Sequence, residues 1–489
     1  MNTLWSEIVL AAPEIILALG SMAMMIVGVF LKGGALRPVS ILTMVLWAAV
    51  LVYIWMPGRM VEPLRGFSDM FLTDGFAQVM KTLVLAGAAA AMLIALKDLG
   101  NTIMARFEYP VLIGFSVLGL FLMISANDFL ALYVGLELSS LALYVLAAFN
   151  RNAAKSSEAG LKYFVLGAIS SGLLLFGISL IYGFTGATQF DVVAATLSAS
   201  AVPDGVPVVV LFGMILILSG MAFKISAVPF HMWTPDVYDG APTSVTAYFA
   251  IVPKVAAMAL IVRLVAGPFE YLAADWQPVL VLMSVLSMTV GALAGLVQKN
   301  IKRLLAYSSI SNMGYALIGV AVGTADGITS MIVYLSIYMV MTAGVFGIVL
   351  ALRKNGYAVD QISDLSGLSK TQPGIAYGLA ALMFSLSGIP PLAGFFSKLY
   401  IFQAAVAAGF YVLAVFGVLA SVVAAWYYLN IIRTMFFEST ESLSEPVTLE
   451  CDVPTIVVVT ASMLFIVGFI VMPGQWLELA HFASSGLLP

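Results

Sequence analysis

Four charged residues stand inside long apolar stretches, where charge is costly: Glu137, Lys224, Lys254 and Lys398. A lysine or aspartate at the bilayer centre costs roughly 2.5–3.5 kcal/mol on insertion scales, and ionisable residues placed there usually mark a route for ions or protons. Burial lowers the pKa of a lysine and a nearby carboxylate raises it, so a buried lysine can gain or lose a proton as its partner moves. The residue types predict a proton relay in which Glu137 pairs with Lys224.

Helix-breaking prolines accompany all three lysines. Proline lacks a backbone N–H and clashes with the preceding turn. A broken helix at membrane depth is tolerated where it lines a wet cavity or is buried in protein. The breaks are predicted at Pro229, at Pro253 and at the pair Pro390 and Pro391. We therefore expect the lysines to lie beside interruptions in their helices.

Each of these charges also has a plainer interpretation. Glu137 and Lys224 could form a structural ion pair between neighbouring helices. Lys254 and Lys398 could extend their ammonium groups to the lipid headgroups, although both lie far from the ends of their apolar stretches. A structural pair and a relay are compatible for the first two residues.

Three further residues are weaker candidates. Lys162 begins an apolar stretch and could equally extend to the headgroups or serve the relay, whereas Lys81 is expected to anchor its helix at the interface. His231 follows Lys224 by seven residues. A model-peptide histidine titrates near ~6.5, which suits proton transfer. We therefore predict an auxiliary relay role for His231, while a lone histidine is also a common packing residue.

The composition defines the kind of bundle that positions these residues. Of 489 residues, 62% are hydrophobic and only 9% are charged, whereas soluble domains carry about 25% charged residues. Backbone groups in lipid must be satisfied internally, which leaves helices or closed barrels. The long apolar runs approach the ~20 residues of a spanning helix and lack barrel-like alternation. The fold class is therefore an all-α polytopic membrane protein.

Few metal or redox ligands are present. The chain has one cysteine, Cys451, and two histidines, His231 and His481. Iron–sulfur clusters require several cysteine thiolates, and neither a P-loop nor a dinucleotide-binding fingerprint occurs. We expect no cofactor, no metal and no nucleic-acid partner on this chain. The first apolar run lacks the basic leader and cleavage site of a secretory signal, so we expect it to be retained.

The apolar runs predict about fourteen spans with short connections. The spans are predicted at 9–30, 38–57, 76–96, 109–126, 129–149, 162–184, 207–231, 243–264, 278–298, 303–323, 328–352, 375–408 (broken), 411–435 and 454–473. The longer connections, 185–206, 353–374 and 436–453, are too small for separate soluble domains.

Basic residues predict the orientation. Thirteen lysines and arginines fall in one set of alternate loops and three, Arg59, Arg65 and Arg263, in the other. Because short cytoplasmic loops are enriched in basic residues, both termini are expected on the outer side of the membrane. The acidic loop 438–452 lies on the inner side and is interpreted as solvated surface.

The two most strongly broken spans are the seventh and the twelfth, which carry Lys224 and Lys398. An odd offset of five spans reverses their direction across the bilayer, which is typical of an inverted-topology repeat. We predict two five-helix units, residues 109–265 (spans 4–8) and 276–437 (spans 9–13). Residues 1–108 form three preceding spans, and 438–489 form the acidic loop and the last span. Each unit would supply half of a channel.

Two segments resemble a known family. Residues 223–238, FKISAVPFHMWTPDVY, followed by GAPTS at 240–244, resemble the signature of the antiporter-like subunits of respiratory complex I, which are related to Mrp-type antiporters. The run SLSGIPPLAGFFSKLY at 385–400 is similar to the subunit N branch, because subunit M usually has Glu where Lys398 stands. Subunit L usually continues into a long lateral helix. The resemblance covers nearly the whole chain.

The resemblance implies a function and partners that spacing alone does not show. It implies proton pumping driven by quinone reduction in neighbouring subunits of NADH:quinone oxidoreductase, with FMN, Fe–S clusters and quinone held elsewhere in the complex. It implies the M, L, K, J, A and H homologues as partners. Glu137 and Lys224 resemble the family's pair, Lys254 the central lysine and Lys398 the terminal one, while Lys162 and His231 resemble auxiliary positions.

Two other functional classes stay open at the level of sequence. The chain could be a free-standing cation/proton antiporter, which would exchange Na⁺ for H⁺ when reconstituted alone. It could also be a scaffold whose buried charges only pair, in which case Lys254→Ala would leave pumping intact.

Overall fold

A computed structural model describes residues 2–31, 34–56, 63–100, 104–200, 206–354, 357–438, 447–485 and 487. This part of the chain is almost entirely helical. The first seven helices are α1 (Asn2–Leu10), α2 (Ala12–Leu31), α3 (Leu36–Ile54), α4 (Gly75–Gly100), α5 (Glu108–Ile124), α6 (Phe129–Ala147) and α7 (Ala154–Thr185). The next seven are α8 (Phe190–Ser200), α9 (Val208–Ile225), α10 (Trp233–Gly240), α11 (Thr243–Ile251), α12 (Pro253–Ala266), α13 (Ala273–Leu296) and α14 (Ile301–Ala321).

The remaining helices are α15 (Ala325–Ala351), α16 (Leu368–Thr371), α17 (Pro373–Ser387), α18 (Ala393–Ala407), α19 (Tyr411–Phe437), α20 (Val453–Gly468) and α21 (Pro473–Ser484). Five short strands are β1 (Leu64–Gly66), β2 (Phe71–Thr73), β3 (Leu352–Lys354), β4 (Tyr357–Ala358) and β5 (Thr448–Leu449). Strands β1 and β2 form an antiparallel hairpin, and β3 pairs with both β4 and β5. The strands pair segments that connect the helices, and they form no separate domain.

Twelve helical segments in the described residues are long and apolar enough to cross a membrane. Helices α14 and α15 are 94% buried over their most apolar windows, whereas α2 is only 22% buried. The central helices are therefore packed among protein side chains and the peripheral ones present apolar side chains outward, as expected of a polytopic membrane bundle. Helices α5, α17 and α18 are apolar but shorter.

Glycines allow the backbones of two helix pairs to approach each other closely. A Cβ at Gly119 of α5 would stand 2.6 Å from the carbonyl oxygen of Gly135 in α6. A Cβ at Gly291 of α13 would stand 2.6 Å from the backbone nitrogen of Ser311 in α14. Helices in lipid associate through such close backbone approaches, because burying apolar surface gives little advantage there.

Three helix interruptions accompany the three lysines predicted to form the relay. Helix α9 ends at Ile225 and its cap Ser226 has φ 63°, while α17 ends at Ser387 and its cap Gly388 has φ 87°. Helices α11 and α12 join at Val252, because Pro253 has no N–H to continue the ladder. The predicted breaks at Pro253 and at Pro390 and Pro391 are confirmed. The break near Pro229 begins earlier than predicted, so the predicted span 207–231 is too long.

The connections fall on two opposite faces. Residues 63–74, 125–128, 186–191 and 267–272, together with α1 and α21, form the terminal face, where the backbone N–H of Leu72 donates to the carbonyl of Ser125 over 2.8 Å. Residues 97–100, 148–153, 226–242, 297–300, 352–354, 357–372 and 447–452 form the basic face, where Arg353 pairs with Asp98 over 2.8 Å. Arg65 lies at the terminal face, as the orientation argument requires.

Other boundaries differ from the predictions. The predicted span 9–30 is two helices that meet at Ala11, ahead of Pro13, and the connection 185–206 contains α8. The last span ends as an α-helix at Gly468. The predicted loop residues Lys32 and Arg59 lie outside the described residues, as do Glu441 and Glu445 of the acidic loop.

Candidate functional site

Lys224 occupies the last turn of α9, immediately before the chain leaves the helix. Its Nζ donates to the Ser140 hydroxyl of α6 over 2.7 Å. The ammonium also lies 5.6 Å from the Phe223 ring centre and 5.8 Å from the Tyr144 ring centre, within the range of cation–π attraction. The indole N–H of Trp233 donates to the Phe223 carbonyl over 3.0 Å, which satisfies one acceptor that the helix end would leave open.

Glu137 stands one turn before Ser140 on the same helix. The predicted ion pair with Lys224 is not formed, because Lys224 contacts Ser140 instead, and Glu137 makes no ion pair with any described basic residue. Its Oε1 is buried and has no hydrogen-bond partner within the described chain. Residues three apart on a helix share a face, so Glu137 and Ser140 are alternative oxygen partners for the same ammonium.

Lys254 is the most deeply buried of the three lysines, with 1% of its surface exposed. It lies one residue after the interruption at Pro253. Its Nζ donates to the Ser309 hydroxyl of α14, and the Tyr338 hydroxyl of α15 donates to the same oxygen over 2.8 Å. The Tyr238 ring centre of α10 lies 5.5 Å from the ammonium. The side chain does not extend to the headgroups.

Lys398 is also buried, with 7% of its surface exposed. It lies in the second turn of α18, just after the break that separates α17 from α18. Its Nζ donates to the carbonyls of Leu386 over 3.2 Å and Ser387 over 3.0 Å, and to the Ser421 hydroxyl over 2.7 Å. The last carbonyls of a helix lack partners within it and carry partial negative charge. The broken helix therefore supplies two of the three acceptors that hold this ammonium.

Buried polar side chains fill the space between Lys254 and Lys398. The hydroxyls of Ser308 and Tyr428 lie 2.5 Å apart, and the Asn312 amide donates to the Ser308 carbonyl over 2.7 Å. The Tyr334 hydroxyl donates to the Asn312 side-chain oxygen over 2.6 Å. The Tyr334 ring lies 6.3 Å from the Tyr315 ring, which lies 5.1 Å from the Lys398 ammonium. Helix α14 thus carries a polar row across the most buried part of the bundle.

Aromatic side chains link Lys224 with Lys254 on the other side. Tyr163 packs edge-on against Tyr144 at 4.9 Å between ring centres and stacks on Trp233 at 4.4 Å. Trp233 in turn contacts Tyr238 at 6.4 Å. Tyr144 lies beside Lys224 and Tyr238 beside Lys254. The loop 226–232 and α10 are therefore folded back to line the region between two lysines.

One arrangement recurs at all three lysines. Each ammonium donates to a serine hydroxyl on a neighbouring helix and lies against a tyrosine ring, and none forms an ion pair with a described carboxylate. A serine hydroxyl both donates and accepts, so it can bind either the ammonium or the neutral amine. Such a row of groups is chemically suited to passing protons.

Comparisons with known proteins agree with this geometry. The family model described as NADH:quinone oxidoreductase/Mrp antiporter, transmembrane, matches residues 126–424. NADH-quinone oxidoreductase subunit N of Parvibaculum lavamentivorans is 51% identical over 99% of this chain and 98% of its own length. The homologous subunit N of Rhodospirillum rubrum is 51% identical over 88% of each chain. The chain belongs to the NADH-quinone oxidoreductase subunit N family. It is accordingly a membrane subunit of complex I.

Solved structures extend the likeness to the whole fold. A chain of respiratory complex I from Thermus thermophilus is 32% identical with a TM-score of 0.79, and the match covers 96% of this chain and 99% of that one. A chain of the Mrp complex from Dietzia sp. reaches a TM-score of 0.81 over 98% and 97% of the two chains at 23% identity, which shows a shared fold. Subunit N and the Mrp protein therefore position their helices alike.

Lys162 of this complex I subunit lies outside the row of buried lysines. It is partly exposed at the basic face, where it pairs with Glu158 and with Asp236, each over 2.8 Å. Arg303 contacts the other oxygen of Asp236 over 2.8 Å. Burial would raise the pKa of the Asp236 carboxyl, but the hydrogen bonds from Lys162 and Arg303 outweigh it and hold that pKa below its usual value. These residues line a small cavity of about 130 Å³.

His231 lies in the loop between α9 and α10 of the complex I subunit. The side chain is half-buried and its Nδ1 is enclosed. Within the described residues, none of the hydrogen bonds of Lys224, Lys254 or Lys398 is to this imidazole. The structure thus places both auxiliary candidates, Lys162 and His231, toward the basic face.

Two buried ion pairs in this subunit were missed in the sequence. Lys81 is not an interface anchor: it is 2% exposed and its Nζ lies 2.5 Å from the Glu14 carboxylate. Arg263, counted as a loop residue, is 5% exposed in the last turn of α12 and binds both oxygens of Asp74 at 2.6 Å. Glu14 follows Pro13 near the start of the first apolar run, a position that resembles the flank of a span.

Proposed function

We propose that this chain translocates protons within complex I through a relay formed by Glu137, Lys224, Lys254 and Lys398. The observation that supports the proposal best is the recurring lysine–serine contact. Three lysines sit at helix interruptions in a lipid-embedded bundle, each with a hydroxyl partner and without a described carboxylate partner. A scaffold would be served better by apolar packing, because buried charges cost several kcal/mol each even after relaxation.

Proton transfer along the row uses ordinary side-chain chemistry. When Lys254 is charged, its ammonium donates to Ser309. After a proton leaves, the neutral amine can accept from the same hydroxyl, because serine has both a donor and acceptor lone pairs. The hydroxyls and amides of Ser308, Asn312 and Tyr334 supply further exchangeable sites toward Lys398. Water molecules would carry the proton between those groups that lie too far apart for a direct hydrogen bond.

Glu137 supplies the switch in this proposal. Lys224 rests on Ser140, one turn from Glu137. A move of the ammonium to Glu137 would stabilise its charge, and a return to Ser140 would release it to donate. Moving one proton against the membrane potential requires about 2.3 kcal/mol per 100 mV. A change of partner from a hydroxyl to a carboxylate is of the same order, since hydrogen bonds to charged groups contribute about 1.5–3 kcal/mol.

The proposal includes an architecture of fourteen spans. Helix α5 and the pair α17 and α18 would join the twelve longer segments. Residues 109–265 and 276–437 would form two inverted units, the first broken after Lys224 and the second before Lys398. Pairs α5–α6 and α13–α14, which open the two units, both meet through close glycine contacts. Helices α1 and α21 share the terminal face, so both termini lie on one side of the bundle. We propose that this is the periplasmic side, because most basic residues of the connections belong to the opposite face.

Coupling and partners complete the proposal. Quinone reduction elsewhere in the complex, with FMN and Fe–S clusters in other subunits, would drive the relay, and the M, L, K, J, A and H homologues would be neighbours in the inner membrane. Among the described residues no cluster of three or more His, Cys, Asp or Glu is placed to hold a metal ion. Lys162 and His231, toward the basic face, would deliver protons to Lys224.

The direct test uses the assembled enzyme. The variants Glu137→Ala, Lys224→Ala, Lys254→Ala and Lys398→Ala are each made in the complex, and NADH-driven proton pumping is followed in inverted membrane vesicles with an acridine dye. We expect pumping and coupled quinone reduction to fall in all four, with assembly checked on native gels. Lys370→Ala, at an exposed residue of α16, is the matched control. Normal rates in all four assembled variants would refute the proposal.

A second candidate is cation/proton exchange by the chain alone. The family model includes the Mrp antiporters, and the fold matches a chain of an Mrp complex. Purified chain would be reconstituted into liposomes with a pH-sensitive dye inside and exposed to a Na⁺ gradient. A Na⁺-dependent pH change that Lys254→Ala abolishes would establish exchange. An inactive chain that binds its partner subunits would exclude this candidate.

A further inference from the structure

Another buried lysine, Lys81, lies outside the two proposed five-helix units. Lys81 is in the second turn of α4 and is 2% exposed, and its partner Glu14 in α2 is 4% exposed. Their ion-pair distance is 2.5 Å. The rings of Phe71 and Phe121 lie 5.2 and 5.4 Å from the ammonium. Six residues into α4 at about 1.5 Å per residue places Lys81 only about 9 Å below the terminal face.

A cavity connects this lysine with the terminal face. Its volume is about 500 Å³, and its wall includes Lys81 and Gln78 of α4 at the inner end and Glu7 and Arg65 at the surface. A water molecule in the liquid takes about 30 Å³, so the cavity has room for many waters. Arg65 is 46% exposed there and pairs with Asp191. Lys81 is thus paired with Glu14 on one side, and on the other it lines a cavity whose wall is mostly apolar but includes the polar side chains of Gln78, Glu7 and Arg65.

The geometry points to Lys81 as a proton-exchange group that communicates with water at the terminal face through this cavity. The inference rests on the proposed function, which supplies the protons. A purely structural pair needs no cavity beside its lysine, and ionisable residues within membrane-spanning helices usually mark routes for ions or protons. Glu7 and Arg65 are the other charged residues of the cavity wall. Asp74 also interacts electrostatically with Lys81, but Arg263 already binds both of its oxygens.

The proton balance is simple. A proton that reaches the pair converts the Glu14 carboxylate into the carboxylic acid while Lys81 stays charged. The Lys81 ammonium then gives one N–H proton to a cavity water, which becomes hydronium, and the lysine is left as the neutral amine. Glu14 passes its proton to this amine and the ion pair is restored. One proton enters and one leaves, and no other reactant is consumed.

Buried hydroxyl groups lie on the helices next to this ion pair. Helix α5, whose Phe121 contacts Lys81, also carries Ser116. Ser116 accepts from the Tyr248 hydroxyl of α11 over 3.0 Å and lies 3.1 Å from the Ser139 hydroxyl of α6. Helix α11 continues through the interruption into α12, which carries Lys254. The hydroxyls therefore lie on the helices that separate Lys81 from the relay.

The first experiment replaces Lys81 by arginine in the assembled complex. Arginine keeps the ion pair with Glu14, and the cavity gives it space, but a guanidinium does not release its proton in proteins. We expect Lys81→Arg to assemble normally and to lose more than half of NADH-driven pumping in inverted vesicles. The neutral double variant Glu14→Gln/Lys81→Gln, which leaves no unpaired charge, should lose pumping as well. Wild-type pumping in an assembled Lys81→Arg complex would overturn the inference.

The second experiment tests the cavity without using pumping. In a Cys451→Ser background, Gln78→Cys places a thiol in the cavity wall, and Ala77→Cys places one at the neighbouring residue, which is buried away from the cavity. A charged, membrane-impermeant thiosulfonate is added to spheroplasts. We expect rapid labelling at position 78 and none at 77, and an unlabelled position 78 would overturn the inference. Normal pumping in all four assembled alanine variants of the relay would instead refute the proposed function, whatever the labelling shows.

Discussion

Removing the Ser309 hydroxyl is the sharpest test of how the central lysine is held. Ser309→Ala deletes the oxygen to which the Lys254 ammonium donates, at a residue that is 0% exposed. Hydrogen bonds to charged groups contribute about 1.5–3 kcal/mol. Each 1.4 kcal/mol is a factor of ten in an equilibrium constant. The neutral amine also loses a hydrogen bond to this hydroxyl, of about 1 kcal/mol, so the balance between charged and neutral Lys254 should move toward the neutral amine by about 2- to 30-fold.

The expected phenotype is an assembled complex that pumps poorly. The substitution removes one small polar group and introduces no clash, so assembly on native gels should be close to wild type. NADH-driven pumping in inverted vesicles should fall by about tenfold or more at a fixed NADH concentration, since positioned proton-transfer groups contribute at least that much. Ser309→Thr retains a hydroxyl at the same carbon and should restore most of the pumping.

Ser336→Ala is the matched control. Ser336 is 3% exposed on α15, and its hydroxyl donates only to the carbonyl of Val333 one turn before it, over 2.8 Å. Its removal should change neither assembly nor pumping. If Ser309→Ala pumps at the wild-type rate, or if Ser336→Ala is equally impaired, the Lys254–Ser309 contact does not govern proton transfer and the reasoning is wrong.

Three further predictions concern the neighbouring contacts. Asp74→Asn should reduce the amount of assembled complex, because breaking a buried ion pair costs about 3–5 kcal/mol, and adding Arg263→Met should recover part of it. Burial would raise the pKa of Asp74, but Arg263 outweighs this effect and holds that pKa below its usual value. The stability that the ion pair contributes is therefore lost only when the pH falls through that lowered pKa. Between about pH 6 and 8, the difference in thermal stability between Asp74→Asn and wild type should be constant. Gly388→Ala should impair pumping, because φ is 87° and the new Cβ would stand 3.0 Å from the Lys398 Cδ. Ser421→Ala should impair pumping less, because Lys398 keeps two carbonyl acceptors.

Much of the fold could be predicted from local physics. Long apolar runs predict spanning helices whatever packs around them, and most predicted spans lie within a few residues of the observed helices. Proline predicts interruptions because its effect is confined to its own turn, as at Pro253. The break near Pro229 begins at Ser226, because the left-handed cap and the loop before the proline depend on contacts with Trp233 and Ser287.

The candidate site could be predicted only in part. The free-energy cost of placing a charged side chain in the membrane is enough to single out a lysine in an apolar run, so Lys254 and Lys398 are recognisable without a structure. Their partners are not, because serine occurs throughout these helices and only the crossing of two helices decides which hydroxyl is reached, as with Ser421. Lys81 and Glu14 were missed for the same reason: they lie on different helices, and each alone resembles an interface residue near the end of its span.

The choice of partner separates the three relay lysines from Lys81. A carboxylate fixed beside a buried lysine holds the ammonium strongly, and breaking such a pair leaves an uncompensated charge. A serine hydroxyl can accept from the ammonium and donate to the neutral amine, so Lys254 and Lys398 can change protonation without a large rearrangement. Lys224 has access to both kinds of partner through Ser140 and Glu137. The hydroxyl contacts thus suit groups that pass protons onward, whereas a carboxylate contact suits the position where transfer is switched or proton escape is controlled.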